Sequence, residues 1–168
     1  MTVPRIAHFC PMCGQRLIQR QRNGALRPIC PACDHTVYFD PKVAVAVLIR
    51  SGDRILLVQR ANNPFQGYWT LPAGFMDYDE DPRSAGCREV AEETGLQVQI
   101  ESLLDVFHTP DDGGLADVVI VYAARITGGT LRPDDDAADA RWFTPADVPA
   151  VAFLPTQTIV RRWRNGKL

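Results

Sequence analysis

Apolar residues are spread unevenly along the chain, and their pattern predicts the elements. Residues 43–49 (VAVAVLI) run without a polar break and read as a buried strand, much too short to span a bilayer. Residues 42–50 and 54–59 flank the turn Ser51-Gly52-Asp53, which predicts a hairpin. Residues 69–72 read as a short strand. A helix is expected from Pro82, where the missing N–H is not needed, to Gly95, which suits a left-handed cap. Residues 97–108 and 115–127 look extended, with Pro110-Asp-Asp-Gly-Gly between them. Residues 145–148 read as one helical turn and 155–164 as a final helix with Gly166 past its end.

The first 38 residues have another texture, rich in Cys and Pro and poor in amphipathic period. The Asp40-Pro41 step reads as a hinge, since a residue before proline leaves the helical region. The expected organisation is a small module over 1–38 and a larger domain over 39–168. With 46% hydrophobic and 23% charged residues the composition is that of an ordinary globular protein. A net charge of −2 gives no global pull toward nucleic acid or an anionic membrane. The N-terminus has no apolar stretch of signal-peptide length, so a cytoplasmic protein without membrane segments is expected.

Cytosolic thiols are normally reduced, so the cysteines call for a reading other than disulfides. Cys10-Pro-Met-Cys13 and Cys30-Pro-Ala-Cys33 are two CxxC pairs separated by sixteen residues. Two such knuckles, with a hairpin between them, supply four thiolates to tetrahedral Zn²⁺ and leave no open position, as in structural sites. So small a module depends on metal for much of its folding energy. His35 reads as a surface residue, and Cys87, standing apart, as a small buried helix residue.

Glu89, Glu92 and Glu93 are spaced i, i+3, i+4 and so share one helix face. Their mutual repulsion is removed by a hard divalent cation such as Mg²⁺ or Mn²⁺, although the same spacing also suits a solvated acidic face. Val90 and Ala91 are expected on the core side.

The wider pattern decides between these readings. Gly74, Glu80, Arg88-Glu89, Glu92-Glu93 and Gly95 occupy every fixed position of G-x5-E-x7-R-E-U-x-E-E-x-G-U, where U is aliphatic. This resembles the box of the Nudix hydrolases. The lead-in Tyr68-Trp-Thr-Leu-Pro-Ala-Gly-Phe-Met and the segment Asp139-Ala-Arg-Trp-Phe-Thr-Pro-Ala-Asp-Val-Pro resemble the same family. The four-cysteine ribbon resembles the NADH-pyrophosphatase-like members and related ADP-ribose or FAD pyrophosphatases. The resemblance implies an α/β protein: a Nudix α/β/α sandwich with a mixed sheet, preceded by a zinc ribbon.

It also implies chemistry: hydrolysis of the pyrophosphate bond in a nucleoside diphosphate linked to X. Glu89, Glu92 and Glu93 would be Mg²⁺ or Mn²⁺ ligands, Glu80 would assist, Arg88 would brace the loop, and Gly74 and Gly95 would serve its turns. Asp111, Asp112, Asp136 and Asp139 are candidates for the general base. ADP-ribose leads among substrates, followed by FAD and NADH. Residues 97–130 lack the S-Q-P-W-P-F-P array of NADH-specific members, and Pro110 lies near a proline common in ADP-ribose-type members.

Phe65, Tyr68, Trp69 and Phe107 could stack on a base or pack in the core, with Phe65, Trp69 and Gly74 the expected substrate contacts. Arg161, Arg162 and Arg164 could meet phosphates at a dimer edge or form a solvated face. The expected partner is a small nucleotide. A homodimer is compatible with the sequence, and nucleic acid is not favoured by the net charge. A Nudix-like ligand sensor without hydrolysis is the rival class. The four intact box glutamates, and the lack of an appended helix-turn-helix pattern, speak against it.

Overall fold

The structure is a computed structural model that describes residues 5–109 and 116–168. The chain divides into two compact units, Met1–Pro41 and Lys42–Leu168. The first is built on an antiparallel hairpin, β1 (Ile18–Arg22) and β2 (Ala25–Ile29), with Asn23 and Gly24 both at positive φ in its turn. Short bridges, Phe9 with Arg16 and Ile29 with Thr36, tie the flanking segments to it.

The second unit is organised around β3 (Val43–Ser51). On one side it pairs in parallel with β8 (Val118–Gly129), which pairs in antiparallel with the edge strand β7 (Leu96–His108). On its other side β3 has two neighbours in succession. Residues Ala44–Ala46 pair with β6 (Ala73–Phe75), and only Arg50 and Ser51 pair with β4 (Arg54–Arg60). The expected hairpin is therefore joined at its tip alone. Beyond the tip β4 diverges to pair with β5 (Trp69–Thr70) and β9 (Ala137–Phe143), because β6 already holds that edge of β3.

The apolar run on β3 is buried because both faces are covered. Val47 and Ile49 meet Val90 and Leu96 on the side of α1 (Pro82–Thr94). Ala46 and Leu48 meet Ile159, Val160 and Trp163 of α2 (Leu154–Arg164) on the other. Each fully buried Val, Leu or Ile contributes about 1.5–3 kcal/mol relative to exposure, so this two-sided packing dominates the unit's stability. Helix α1 lies close to the sheet: a Cβ on Gly86 would stand 3.1 Å from the side chains of both Val45 and Val47.

Asp81 caps α1 by accepting from the backbone N–H groups of Arg83 and Ser84, and Gly95 ends it at φ +67 with its N–H on the Ala91 carbonyl. Several details differ from the sequence expectation, among them the short strand expected over 69–72, in whose place stand β5 and the later β6. Ala91 is exposed, because one residue beyond Val90 turns about 100° around the helix and leaves the core stripe. Residues 145–147 form a turn rather than a helical one, closed by the Thr144 hydroxyl on Asp147 at 2.9 Å. Strand β9 has no counterpart in the predicted elements; its buried residues are alanines, Ala137 and Ala140, and alanine carries little strand signal. No helix among the described residues is long and apolar enough to cross a membrane.

Candidate active site and cysteine centre

Strand β6, the loop after it and α1 bring the box residues together. Glu93, in the last turn of α1, is 5% exposed, and its Oε2 accepts the Ala73 N–H of β6 at 3.0 Å. Glu89, one turn earlier, is also buried, and its carboxylate lies directly over Gly74. A Cβ on Gly74 would collide with that carboxylate, so glycine is required for close approach rather than for a turn conformation.

Arg88 is the hub of the loop. Its Nε and Nη2 form a two-pronged bond to Glu80 at 2.9 and 2.8 Å, and Nη2 also donates to the Phe75 carbonyl at 3.0 Å. Its Nη1 donates to Glu89 at 2.8 Å and to the exposed Glu92 at 2.9 Å. One planar fork thus fixes three carboxylates and a carbonyl at the end of β6. Arg88 holds the Glu80 carboxyl below the usual carboxylate range. Burial pushes the Glu89 carboxyl up. Burial also raises Glu93, to about 8, with nearby Glu89 and Asp136 adding to it while the Ala73 N–H opposes. These carboxylates are hard-oxygen donors of the kind that bind a divalent cation, but with Arg88 bonded to Glu80, Glu89 and Glu92 their oxygens do not converge within 4.8 Å as the four cysteine sulfurs do.

Glu89, Glu92 and Glu93 help to line a cleft of about 450 Å³. Its other walls include Ala44 and Ala46 of β3, Val119 of β8, Thr70 of β5, and Phe153, Pro155 and Thr156 at the start of α2. Arg60, at the end of β4, also lines it. Its Nε donates to the Pro64 carbonyl at 2.7 Å, and its guanidinium lies 4.9 Å from the centre of the Phe153 ring. Partial burial lowers the Arg60 pKa. Asp136 lines the cleft as well, accepting from Asn62 Nδ2 at 2.6 Å.

Other sequence candidates lie elsewhere. Trp69 is a core residue, edge-on to Phe143 at 4.8 Å, and is not among the cleft-lining side chains. Its strand carries it inward, where it packs in the core. Phe65 stands behind the wall, edge-on to Phe153 at 5.1 Å and to Tyr68 at 6.0 Å. Phe107 packs against the core. Asp139 is ion-paired with Arg141. Pro110, Asp111 and Asp112 lie outside the described residues. Arg162 is paired with Asp105 at 2.7 Å, and Arg164 donates to the Pro145 and Val148 carbonyls, so two of the C-terminal arginines serve internal contacts. Arg60 and Phe153 were not singled out by sequence. The first reads as the polar end of a strand and the second as an ordinary residue ahead of a helix.

In the first unit the two knuckles repeat one backbone design. Gly14 N–H bonds to the Cys10 carbonyl at 2.9 Å and Asp34 N–H to the Cys30 carbonyl at 3.0 Å. Both Gly14 and Asp34 have positive φ. The four sulfurs lie within 4.8 Å of one another, with separations of 3.5, 3.6 and 3.7 Å for three of the pairs. An ion bonded tetrahedrally at about 2.3 Å to each sulfur needs sulfurs about 3.8 Å apart, which is close to the spacing found. Backbone N–H groups of Cys33 and Ala32 lower the Cys30 thiol to about 7 despite its desolvation. His35 contributes a carbonyl to this knuckle, accepting the Cys30 N–H, and is not among the clustered ligands.

The chain belongs to the Nudix family: the family described as "NUDIX domain" matches residues 40–163. It is accordingly a Nudix hydrolase, with a cluster of four cysteines ahead of the domain. An ADP-ribose pyrophosphatase of Methanocaldococcus jannaschii is 39% identical over 135 residues, covering 79% of this chain and 80% of the relative. A NAD-capped RNA hydrolase NudC of Vibrio atlanticus is 32% identical over 157 residues, 92% of this chain, which spans only 55% of that relative's length. The crystal structure of a Nudix hydrolase from Nitrosomonas europaea has the same fold, with a TM-score of 0.85 at 30% identity over 96% of this chain and 92% of that one.

Proposed function

We propose that the protein hydrolyses, with Mg²⁺ or Mn²⁺, the pyrophosphate bond of ADP-ribose or a related ADP-containing compound, giving AMP and X-phosphate. The carrying observation is the single cleft that joins the glutamates of α1 to apolar walls large enough for a nucleotide. Glu89, Glu92 and Glu93 would hold the metal, with Glu93 the central ligand. Bound there, a divalent ion neutralises the diphosphate and lowers the pKa of an attacking water. The chain's own residues do the rest. Ala73 N–H and the Gly74 cradle orient Glu93 and Glu89, and Arg88 keeps the loop and Glu80 in register. Asp136, which lines the cleft, is a candidate to take the water's proton. The cysteine centre would hold one structural Zn²⁺.

ADP-ribose is favoured as substrate by the similarity to the Methanocaldococcus pyrophosphatase. A second reading, a pyridine dinucleotide, is favoured by the NudC relative, whose match extends over the cysteine unit. A hydrolysis panel of ADP-ribose, FAD, NADH, dinucleoside polyphosphates and nucleoside triphosphates with Mg²⁺ or Mn²⁺ tests both. ADP-ribose turned over with the highest kcat/KM supports the first reading, NADH the second, and no cleavage of any of them removes both.

A further inference from the structure

The net charge of −2 conceals a strong partition. The first 33 residues hold five arginines and neither Asp nor Glu, so all twenty acidic residues lie after them. Four thiolates with Zn²⁺ form a formal dianion, which still leaves this stretch net positive. The arginines concentrate on one face of the β1–β2 hairpin. Arg20 and Arg27 are direct cross-strand partners, and Arg22, two residues from Arg20, shares their face. Like charges placed directly opposite are destabilising unless something neutralises them.

For Arg22 that role is filled within the unit. It forms an ion pair with Asp34 at 2.7 Å and donates to the Thr36 hydroxyl at 2.8 Å. Arg20 feels Asp34 only through space, without an ion pair to it, and Arg27 has no acid in the hairpin. Arg20 is exposed, and the Nε of Arg27 is buried with no hydrogen-bond partner among the described residues. The Arg27 guanidinium lies 4.7 Å from the centre of the Tyr38 ring, and that tyrosine is 50% exposed. Asn23 donates to the Tyr38 hydroxyl at 3.3 Å and steadies the ring.

Two neighbouring guanidiniums beside a partly open aromatic ring match a strand that presents phosphates at one level and an unstacked base at another. We propose that this face of the cysteine unit binds single-stranded nucleic acid, with Arg20 and Arg27 on successive phosphates and Tyr38 stacking a base. A duplex keeps its bases stacked inside and offers the tyrosine nothing. The proposal does not rest on the ADP-ribose reading, because none of these residues belongs to the cleft.

The test is fluorescence anisotropy of a labelled twelve-nucleotide single-stranded RNA with full-length, zinc-loaded protein across a salt series. Binding is expected to weaken with salt, at a slope of about −0.7 per phosphate engaged. Arg20→Gln with Arg27→Gln is expected to weaken it at least ~10-fold and flatten the slope, and Tyr38→Leu to weaken it with the slope intact. Arg20→Glu alone, at an exposed site, serves if the double variant loses zinc. Hydrolysis of ADP-ribose by these variants should match wild type; if wild type hydrolyses none, only the substrate reading fails. No salt-dependent binding, equal binding by the arginine variants, or equal affinity for the duplex overturns the proposal.

Discussion

The two clusters of ligand-type side chains in this molecule are built on opposite plans. In the first unit four thiols are drawn together by two copies of one backbone turn, at separations of 3.5 to 3.7 Å for three of the pairs. No basic side chain is among them. In the second unit the carboxylates are held by a cation of the protein itself, since Arg88 bonds to Glu80, Glu89 and Glu92 together. The thiol set is closed on itself, whereas the carboxylate set opens onto a cleft. A closed set suits an ion that stays, and an open set suits one that shares its coordination with a substrate. The contrast separates stability from turnover, and substitutions can break it from either side.

The largest effect is expected from Glu93→Gln. It keeps the shape and the neighbours of the side chain but removes its ability to ionise and bind a cation, so kcat should fall on the order of 10²–10⁴-fold, the range associated with single positioned groups. Steady-state assays with saturating Mg²⁺ measure this, and zinc content should not change. Cys13→Ser with Cys30→Ser should do the reverse. Zinc falls from about one per chain to none by metal analysis. The first unit loses its protease resistance, while ADP-ribose turnover declines by less than ~10-fold. A full loss of turnover would end the separation between the two sites.

Gly74→Ala comes next. The new methyl must displace the Glu89 carboxylate, so kcat should drop ~10–100-fold with little change in thermal stability, as misplacing a reacting group by about 1 Å costs. Unchanged kcat would mean that Glu89 is not held where turnover needs it.

The smallest effect concerns pH. Without Mg²⁺ or Mn²⁺ the Glu93 carboxyl has a folded-state pKa of about 8, raised above its ordinary 4.5, mainly by burial. A raised pKa means that the folded state binds the extra proton, so its stabilising contribution is complete below the ordinary value and is lost as pH climbs through about 8. The melting temperature of zinc-loaded protein without added Mg²⁺ or Mn²⁺ should therefore decline between about pH 5 and 8. Mg²⁺ should offset the decline and Glu93→Gln should reduce it, leaving the part that comes from the buried Glu89. A flat profile for the wild type would show that Glu93 is solvated.

How much of this was legible in the sequence depended on how tightly chemistry constrains spacing. Cys10, Cys13, Cys30 and Cys33 must converge on one point, and so must the residues of the box. Such constraints leave a pattern with fixed gaps. Strand β3 was legible for another reason: coverage on both faces removes every polar position from Val43 to Ile49. Arg60 and Phe153 were not legible, because each reaches the cleft through a tertiary contact between β4 and the start of α2 that has no fixed interval along the chain. Trp69 illustrates the same gap in reverse. An aromatic residue beside the box looks like a stacking platform, and only the pairing of β5 with β4 turns it into the core.

The tip-only pairing of β3 with β4 has a consequence for how such a protein can change. The two strands separate like the arms of a fork, and the cleft takes residues from both arms: Ala44 and Ala46 from one and Arg60 from the other. Its width is set by main-chain pairing with β6 on one arm and β5 and β9 on the other. The small side chains that face the opening do not hold the frame apart. Enlarging the partly buried Ala44 therefore reshapes the chamber without moving the glutamates or Arg88, whereas Ala46 and Val119 also belong to the packing against α2 and are less free to change. Substrate range and reactive chemistry are separately adjustable in this fold.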